Sequence, residues 1–521
     1  RSVPFPEVRW VPKKRGFRPV VNLKDGKRRA ASASAGHTVS HGDILRIWRH
    51  VRAEHPEIMG CSVLGQAEVH RRLVEGIQQV EAALPSASGR LCVAVADLCN
   101  CYESIDHDKL LGCISKLPLA DYGIQPLHRC RLDDRTSGRA DVAIEMECGL
   151  PALLLSSKCP PLLSPPPDIL LMPGVSRRVP SAALLSTVRN AVTRHFVMLR
   201  TQRGRRNVGA EERSMRLQRG VPQGSRLSPF LCGLRMAEGD AAAGDAVPSG
   251  AHGFMVRLVD DFLIIGVSAA PVNGFLAMLT SSDNPYGGEL NMQKCRANCQ
   301  LSKVELPMAS RTQLGEPVPW AGLTLCPEGR QLNLSPKGNQ AGSCVSNGLS
   351  VRFRQDRSGV KVQGRYWQSV VDAKLLQFLR IKLNPVSLDL SLSSWACVRA
   401  NICRVCGLCA LRLTWLVVRR RQALQCKVNA STVANACLRC ASYAAARVRN
   451  IWQRLEVERG GSQDPVLQLV PFRAVQDICL EAFQAALRSR RRLPSLDVAY
   501  EQLGAFRVLN HDVPTDQYCE L

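Results

Sequence analysis

The 521-residue chain carries 69 Lys and Arg residues against 44 Asp and Glu, so its formal net charge is +25. This excess disfavours an enzyme for small neutral metabolites and favours a long polyanionic partner, nucleic acid above all, with an anionic membrane surface as the alternative. A hydrophobic content of 45% suffices for a large core in several domains. Because no stretch reaches about 18 consecutive apolar residues, we expect an intracellular protein without a membrane span.

The first hundred residues predict a hairpin, a helix and a strand. Residues 9–23 are extended and lead into a Lys/Arg-rich turn, which is typical of a hairpin and loop. A helix is predicted over residues 61–84, because apolar side chains recur at helical spacing on one face at Val69, Leu73, Ile77 and Val80. The valine-rich run Leu91–Leu98 predicts a buried strand that contains Asp97 near its end.

Residues 111–216 differ in composition and are interpreted as an insertion. A proline-rich patch around residues 160–167 is followed by one helical pattern, formed by Leu184, Val188, Val192 and Phe196. A Gly/Pro turn at Gly220–Gly224 then introduces a helix whose apolar face consists of Leu227, Phe230, Leu231 and Leu234.

The chain after about residue 326 is Arg-rich and predicts a separate all-α domain. Its candidate core helices include Ile402–Val418 and the segment with Leu375, Leu376 and Leu379. The 22 cysteines are interpreted as buried thiols rather than disulfides. The three-residue spacing of Cys403, Cys406, Cys409, Cys437 and Cys440 leaves a zinc site open beside core packing.

Three aspartates follow apolar strands. Val93, Val95 and Asp97 share one strand face, and Asp260 and Asp261 lie between the apolar runs 254–259 and 262–265, at a hairpin tip. Adjacent carboxylates repel each other, so a cation is expected, and oxygen-only ligands favour Mg²⁺. A solvated surface turn is the alternative. Tyr102 would stand beside this site, or is an ordinary half-buried aromatic residue.

Six segments, in this order, resemble reverse transcriptase motifs 1, A, B, C, D and E: RWVPKKRGFRPVVNL, VADLCNCYESI, QRGVPQGSRLSPFLC, RLVDDFLII, LNMQKC and WAGLTL. The Leu258-Val259-Asp260-Asp261 form of motif C, with Phe262-Leu263 after it, is similar to that of the telomerase reverse transcriptase family. The chain departs from that family at residues 98–101 (LCNC) and at Arg226.

The resemblance implies an α+β right-hand polymerase. The expected domains are fingers (1–90), palm (91–110 and 217–325), a fingers insertion (111–216) and a helical thumb-like C-terminal extension (326–521). It also implies an RNA-directed DNA polymerase that extends chromosome 3′ ends in the nucleus. The implied partners are telomerase RNA as template, a telomeric DNA primer and deoxynucleoside triphosphates.

Site roles follow from the same resemblance, with two Mg²⁺ ions bound by Asp97, Asp260 and Asp261. Lys13 and Arg18 would hold the triphosphate and template, and Gln223 and Gly224 would lie under the nucleotide with Tyr102 beside it. Lys294 would donate a proton to pyrophosphate, and Trp320, Gly322 and Leu323 would form the primer grip. Each of these residues also has a plain structural interpretation as a surface charge, a turn or a packed aromatic. The basic runs Arg419–Arg421 and Arg488–Arg492 would contact duplex phosphates, or are solvated faces or import signals.

Two competing hypotheses remain from the sequence. A retroelement reverse transcriptase would share the chemistry, and an endonuclease or integrase domain would support that interpretation. A non-catalytic RNA-binding protein with a polymerase fold would have no need of the three acids Asp97, Asp260 and Asp261.

Overall fold

The computed structural model describes residues 8–12, 17–21, 39–83, 91–131, 143–148, 169–173, 177–194, 196–201, 211–302, 304, 316–327, 331–336, 372–424, 430–459, 472–488, 497, 500 and 501. The N-terminal part is a hairpin followed by two helices. The predicted hairpin and the predicted helix, which is the second of the two, are confirmed. Its elements are β1 (Val8–Pro12), β2 (Phe17–Val21), α1 (His41–Glu54) and α2 (Gln66–Glu81). The predicted apolar face of α2 is buried.

The first strand of the central sheet is followed by two short helices. They are β3 (Cys92–Asp97), α3 (Cys101–Ser104) and α4 (His107–Ser115). Asn100 adopts a left-handed conformation with φ of 50°, which turns the chain from β3 directly into α3. Residues that follow the first aspartate therefore fold back against the sheet edge.

The expected insertion contains more strand than its sequence pattern indicated. Its described elements are β4 (Tyr122–Arg131), β5 (Ala143–Cys148), β6 (Ile169–Pro173), β7 (Arg177–Val179), α5 (Ser181–Thr193), β8 (Phe196–Thr201) and β9 (Glu211–Arg216). β4 pairs with β5, β6 and β7, and β8 pairs with β9. The placement of Phe196 on the α5 face was wrong: it opens β8 opposite Arg216, and its side chain is 36% exposed.

The central sheet has four antiparallel strands in the order β10, β11, β3, β12. The elements after the insertion are α6 (Ser228–Ala243), β10 (Gly253–Leu258), β11 (Asp261–Gly266), α7 (Ala269–Thr280) and β12 (Arg296–Ala297). The predicted α6 face is buried.

Both faces of this sheet are covered, which explains its continuous apolar sequences. Ala94 and Ile264 face a core that includes residues of α4, α6 and α7. Val93 and Leu263 face a second core, shared with α2 and with the next small sheet. A strand buried on both faces needs no polar alternation. The two cores hold the strand ends, and hence the aspartates, in fixed positions.

A three-stranded antiparallel sheet follows, and it extends beyond the expected palm boundary at residue 325. Its strands are β13 (Val318–Trp320), β14 (Leu323–Leu325) and β15 (Leu334–Pro336). Leu325 pairs with Leu334, so the chain just after residue 326 is not yet helical. The described helices of the C-terminal part begin at a π-helical turn, Asp372–Leu376.

The C-terminal part is a helical layer with its own core. Its helices are α8 (Gln377–Lys382), α9 (Pro385–Leu388), α10 (Trp395–Leu424), α11 (Ala430–Glu458) and α12 (Phe472–Arg488). By length and composition alone, Trp395–Val418 of α10 could cross a membrane. Ile402 and Leu413 are fully buried between helices of this core, which is the position expected of a core helix.

The cysteines of this layer pack in its core. Cys406, Cys409, Cys437 and Cys440 are buried with no exposed surface. Burial raises the pKa of the Cys409 and Cys437 thiols, which favours the protonated form that binds metals poorly. Among the residues described by the structure, no group of three or more His, Cys, Asp or Glu side chains is arranged to hold a metal ion. These four cysteines lie as the core-packing interpretation predicts, whereas Cys403 is only partly buried.

Candidate active site

The sheet register brings two of the three aspartates face to face. Asp97, the last residue of β3, pairs directly with Asp261, the first residue of β11. Asp260 precedes Asp261 in the two-residue loop between β10 and β11. Directly opposed residues on antiparallel strands have Cβ atoms about 4.5–5.5 Å apart, so like charges there destabilise the pair. The predicted hairpin tip is confirmed, and the strand order adds Asp97 to it.

The loop that carries Asp260 has a strained backbone. Val259 has φ of 63°, a left-handed conformation that a β-branched residue rarely adopts. Such a conformation costs on the order of 1–3 kcal/mol and persists only where surrounding contacts enforce it. Leu258 pairs with Asp261 across the loop, so the turn is as tight as a hairpin allows. This strain lies directly beside the acidic cluster.

The electrostatics of the cluster disfavour three ionised carboxylates. Burial, followed by the charges of Asp260 and Asp97, raises the pKa of Asp261 from 3.8 to about 7. Lys294 opposes this shift in part. The side chain of Asp97 is only 5% exposed, whereas that of Lys294 is 60% exposed. Asp261 is therefore repelled by two neighbouring carboxylates more strongly than Lys294 compensates.

Lys294 and Asn291 hold the carboxylate of Asp97. The Lys294 ammonium donates to Oδ1 at 2.9 Å and to Oδ2 at 2.7 Å. Partial burial lowers the pKa of Lys294, but the hydrogen bonding to Asp97 and the charges of Asp97, Asp261 and Asp260 together outweigh burial, so the net shift of the pKa is upward. Asn291 donates from its side chain to Oδ2 at 3.2 Å and from its backbone to the Asp97 carbonyl at 2.7 Å. Lys294 is therefore at the site, as its motif predicted.

The turn at Gly220 locks against the helix that carries Tyr102. The Val221 N–H donates to the Tyr102 carbonyl at 2.9 Å, and the Gly220 N–H donates to the Ile105 carbonyl at 2.8 Å. Gly220 has φ of 82°, and a Cβ there would lie 2.6 Å from the Tyr102 oxygen. Only glycine fits this close approach without displacement. Tyr102 itself is half-buried.

The two predicted turn residues near the nucleotide lie in one loop. Gln223 Nε2 donates to Glu103 Oε1 at 2.6 Å, which joins the Gly220 turn to α3 a second time. Gly224 is exposed and has φ of 102°, so the turn does require glycine. Arg226, one of the departures from the family pattern, is exposed. Cys101, another, lies with its sulfur 3.3 Å from that of Cys232 in the core.

The predicted primer grip forms the β13–β14 hairpin. Trp320 pairs with Leu323, and Ala321 and Gly322 between them both have positive φ, at 46° and 81°. Two such residues make the tight turn favoured in hairpins. The Trp320 indole is 2% exposed and donates to the Asp261 backbone carbonyl at 3.1 Å. Its packing role is thus evident, while the tip at Gly322 is exposed.

Several predicted residues fall outside what the structure describes. Lys13 lies outside the described residues, and Arg18 is placed only by its backbone, paired with Val11 in the β1–β2 hairpin. Arg419–Arg421 belong to α10 and Arg488 ends α12, whereas 489–492 are outside the described part.

Sequence reasoning missed three residues around the acids. Asn291 lies in the motif D segment, where its amide was not singled out. Arg257 and Asp240 form a fully buried ion pair at 2.5 Å beneath the Val259 turn. The signal was present: a lone arginine in the apolar strand Phe254–Val259 must find a buried partner.

Comparison with curated proteins finds telomerase reverse transcriptases of several organisms. The chain is 26% identical to telomerase reverse transcriptase of Rattus norvegicus over 436 residues and to that of Bos taurus over 521 residues, 80% and 96% of the chain. The Oryza sativa subsp. japonica enzyme is 24% identical over 425 residues, 78% of the chain. The chain is similar to the telomerase reverse transcriptases. No protein-family model matches the chain.

The fold agrees with that relationship. A solved telomerase from Candida albicans, in complex with a fragment of telomeric RNA, aligns over 96% of this chain and 66% of its own, with a TM-score of 0.55 and 14% identity. The predicted α+β polymerase fold is thereby confirmed. The chain spans 36% of the rat telomerase reverse transcriptase, 42% of the bovine enzyme and 31% of the rice enzyme.

Proposed function

We propose that this chain is the polymerase core of a telomerase catalytic subunit, an RNA-directed DNA polymerase that extends chromosome 3′ ends by copying an RNA template. The observation that carries the proposal is the opposition of Asp97 and Asp261 across β3 and β11, with Asp260 in the adjoining turn. The family relationship supports the choice of reaction. Telomerase RNA, a telomeric DNA primer and deoxynucleoside triphosphates are the proposed partners, at telomeres in the nucleus.

Asp97, Asp260 and Asp261 would hold two Mg²⁺ ions, which requires their carboxylates to move together, since among the described residues no three such side chains are already arranged to hold a metal ion. The fit rests on the donor set, which is oxygen only, and on the raised pKa of Asp261, which burial and two neighbouring carboxylates cause. When bound, such ions activate the primer hydroxyl and stabilise the charge on the departing pyrophosphate. The protein's part is to hold the three acids at one sheet edge. Lys294, kept protonated by Asp97, would donate a proton to the leaving group.

The surrounding residues would position the substrates. Tyr102, half-buried in α3, would present its ring to the sugar of the incoming nucleotide and exclude a ribose 2′-hydroxyl. Gln223 and Gly224 would lie under the nucleotide and template. Trp320 would fix the hairpin whose exposed tip at Gly322, with Leu323, contacts the primer end. Lys13 and Arg18 would hold the triphosphate and template by charge.

The proposed domains follow the expected division, with one boundary moved. Residues 1–90 would be fingers, 91–110 and 217–336 palm, and 111–216 the fingers insertion. The shift from 325 to 336 is made because β15 continues the sheet of β13 and β14. The helical layer from Asp372 onwards would then act as the thumb, with its basic residues near the duplex.

Primer extension on an RNA–DNA hybrid with Mg²⁺ and deoxynucleotides tests the reaction. We expect extension by the wild type and none by Asp260→Ala. Asp245→Ala, which removes an exposed acid in the loop after α6, is the matched control and should extend normally. A wild type that binds the hybrid tightly yet never extends it would instead favour a non-catalytic RNA-binding protein.

A second experiment separates telomerase from a retroelement enzyme. One reaction contains the cognate telomerase RNA and the other contains an unrelated long RNA, and both contain a telomeric primer. A telomerase core should add a defined repeat with the cognate RNA. Continuous copying of the unrelated RNA, with no preference for the cognate one, would contradict the telomeric role and support the retroelement alternative.

A further inference from the structure

Arg257 is a fully buried arginine three residues before Asp260. Its exposed fraction is 0%. Its backbone is held from both sides, because its N–H donates to the Cys61 carbonyl at 3.0 Å and its carbonyl accepts from the Val63 N–H at 2.8 Å. A guanidinium removed from water in this way is tolerated only when its donors find acceptors. The positions of those acceptors therefore indicate what the residue does.

The first acceptor is Asp240 of α6. Arg257 donates to its carboxylate from Nε at 3.2 Å and from Nη2 at 2.5 Å. The Tyr286 hydroxyl donates to the same carboxylate at 2.8 Å, and the Cys61 N–H donates at 2.9 Å. Asp240 thus receives four hydrogen bonds, and its forked contact fixes the plane of the guanidinium.

The remaining arm of the guanidinium reaches the strained turn. Nη1 donates to the Val259 carbonyl at 3.2 Å. That carbonyl belongs to the peptide group that joins Val259 to Asp260. The hydrogen bond therefore orients this peptide group, and with it the direction of the Asp260 side chain. Since Val259 is held at φ of 63°, the turn needs such an external contact to keep its conformation.

Two glycines show that the network is closely packed. A Cβ on Gly60 would lie 2.3 Å from Asp240 Oδ2, and a Cβ on Gly239 would lie 2.5 Å from the Tyr286 ring. The backbone therefore approaches the ion pair more closely than any side chain would permit. Asp240, closely packed against Gly60, therefore holds Arg257 through two hydrogen bonds, and Arg257 in turn contacts the turn.

We propose that Arg257 is a positioning residue that fixes the Val259–Asp260 peptide so that Asp260 is presented to a divalent cation. The inference rests on the proposed function, in which Asp260 binds the ions. It extends that function by assigning a metal-positioning task to the ion pair of Arg257 and Asp240, whose members do not touch the cation themselves. A variant that loses the hydrogen bond from Nη1 to the Val259 carbonyl should therefore bind the metal more weakly, even when it keeps its ion pair with Asp240.

Mn²⁺ binding to the full chain, measured from the electron paramagnetic resonance signal of free Mn²⁺, tests this directly. Arg257→Lys keeps a cation for Asp240 but cannot fork to the carboxylate and also reach Val259. We expect its Mn²⁺ dissociation constant to rise about tenfold, as when an outer partner of a metal ligand is lost. Tyr286→Phe loses one bond to the same Asp240 and none to the turn, so it should stay within about twofold of the wild type.

Two further variants complete the test. Asp260→Ala defines the signal of a lost site, and a wild type that binds no better than this variant overturns the inference. If Arg257→Lys does not fold, Arg257→Gln with Asp240→Asn removes both charges together and should show the same tenfold rise. Unchanged Mn²⁺ affinity in the folded Arg257 variants also overturns it. A wild type that binds Mn²⁺ but extends no primer contradicts the proposed polymerase alone.

Discussion

Two inward-facing carboxylates, Asp389 and Asp261, differ in how their charge is balanced. Asp389, between α9 and α10, accepts hydrogen bonds from His70 Nε2 of α2 at 2.6 Å, from the Ser391 N–H at 2.8 Å and from Arg459, which directly follows α11. Burial would raise the pKa of Asp389, but the bonds from His70 and Arg459 outweigh it and lower the pKa to about 2. Asp261 faces Asp97 and has its pKa raised to about 7.

The difference separates a carboxylate whose charge is balanced by its neighbours from one whose charge is opposed by them. At the α2–α11 junction, complementary groups from distant parts of the chain meet and stabilise the ionised form. At the sheet edge, like charges meet on strands that two apolar cores hold in register. A protein tolerates such repulsion where a ligand cation completes the site, which is why perturbed carboxylates cluster at functional positions.

The largest expected effect is at the junction, with Asp389→Ala. Removing the carboxylate leaves His70 and Arg459 without their acceptor, and breaking a buried pair from one side costs about 3–5 kcal/mol. We expect the free energy of unfolding in urea at pH 7 to fall by that amount. Asp283→Ala, at an exposed turn, is the control and should change little. A loss below about 1 kcal/mol would mean that the junction does not depend on Asp389.

Gly220→Ala tests the close packing of the site edge. A Cβ 2.6 Å from the Tyr102 oxygen, at φ of 82°, should cost about 1–3 kcal/mol of stability and displace α3. The displaced Tyr102 should also discriminate less between deoxynucleotides and ribonucleotides. Thermal melting and competition between dGTP and GTP in primer extension measure the two effects. Gly274→Ala, where a Cβ meets no atom within 4 Å, is the matched control.

Asp261→Asn should stabilise the metal-free protein while abolishing extension. The folded-state pKa near 7 lies above the ordinary 3.8, so the folded state holds its proton more tightly. Wild-type stability therefore falls as pH rises from about 4 to about 7, whereas the Asn variant has nothing to titrate there. We expect the variant to be about 1–2 kcal/mol more stable at pH 8 and not at pH 4.

Melting temperatures in EDTA between pH 4 and pH 8 measure this difference. Asp245→Asn, at an exposed position, should follow the wild type at every pH. Parallel curves for the wild type and Asp261→Asn would contradict the repulsion at the sheet edge. With Mg²⁺ present, we expect the order to reverse, because only the wild type retains the complete set of acids.

The central sheet was predictable from sequence, whereas the long-range contacts that hold the carboxylates in place were not. The apolar runs that end in Asp97 and surround Asp260 and Asp261 determine strands locally, and motif order completed the expected fold. Phe196 was wrongly assigned to the face of α5 because it follows Val192 by four residues. The first residue of a following strand, here β8, can have the same spacing. The bond from Asn291 to Asp97 and the pairing of His70 with Asp389 join residues 194 and 319 positions apart. No periodicity encodes such contacts.

Lys294→Met is the smallest and most discriminating change. Met keeps most of the apolar chain but removes the ammonium 2.7 Å from Asp97 Oδ2. Because Lys294 is 60% exposed, solvent screens the pair, and we expect a loss of only about 0.5–1 kcal/mol at pH 8 in EDTA. Lys116→Met, which breaks an exposed pair with Glu238, is the control.

The effect of Mg²⁺ on Lys294→Met tests whether Lys294 and the ion neutralise the same carboxylate. The ammonium and a divalent cation both neutralise Asp97, so the ion should stabilise Lys294→Met more than the wild type, and should not distinguish Lys116→Met from it. Melting temperatures across a Mg²⁺ titration at pH 8 measure the gain. Equal gains in Lys294→Met and the wild type would show that Lys294 and the ion act independently. In that case Lys294 could donate a proton to the leaving group without affecting how the ion binds Asp97.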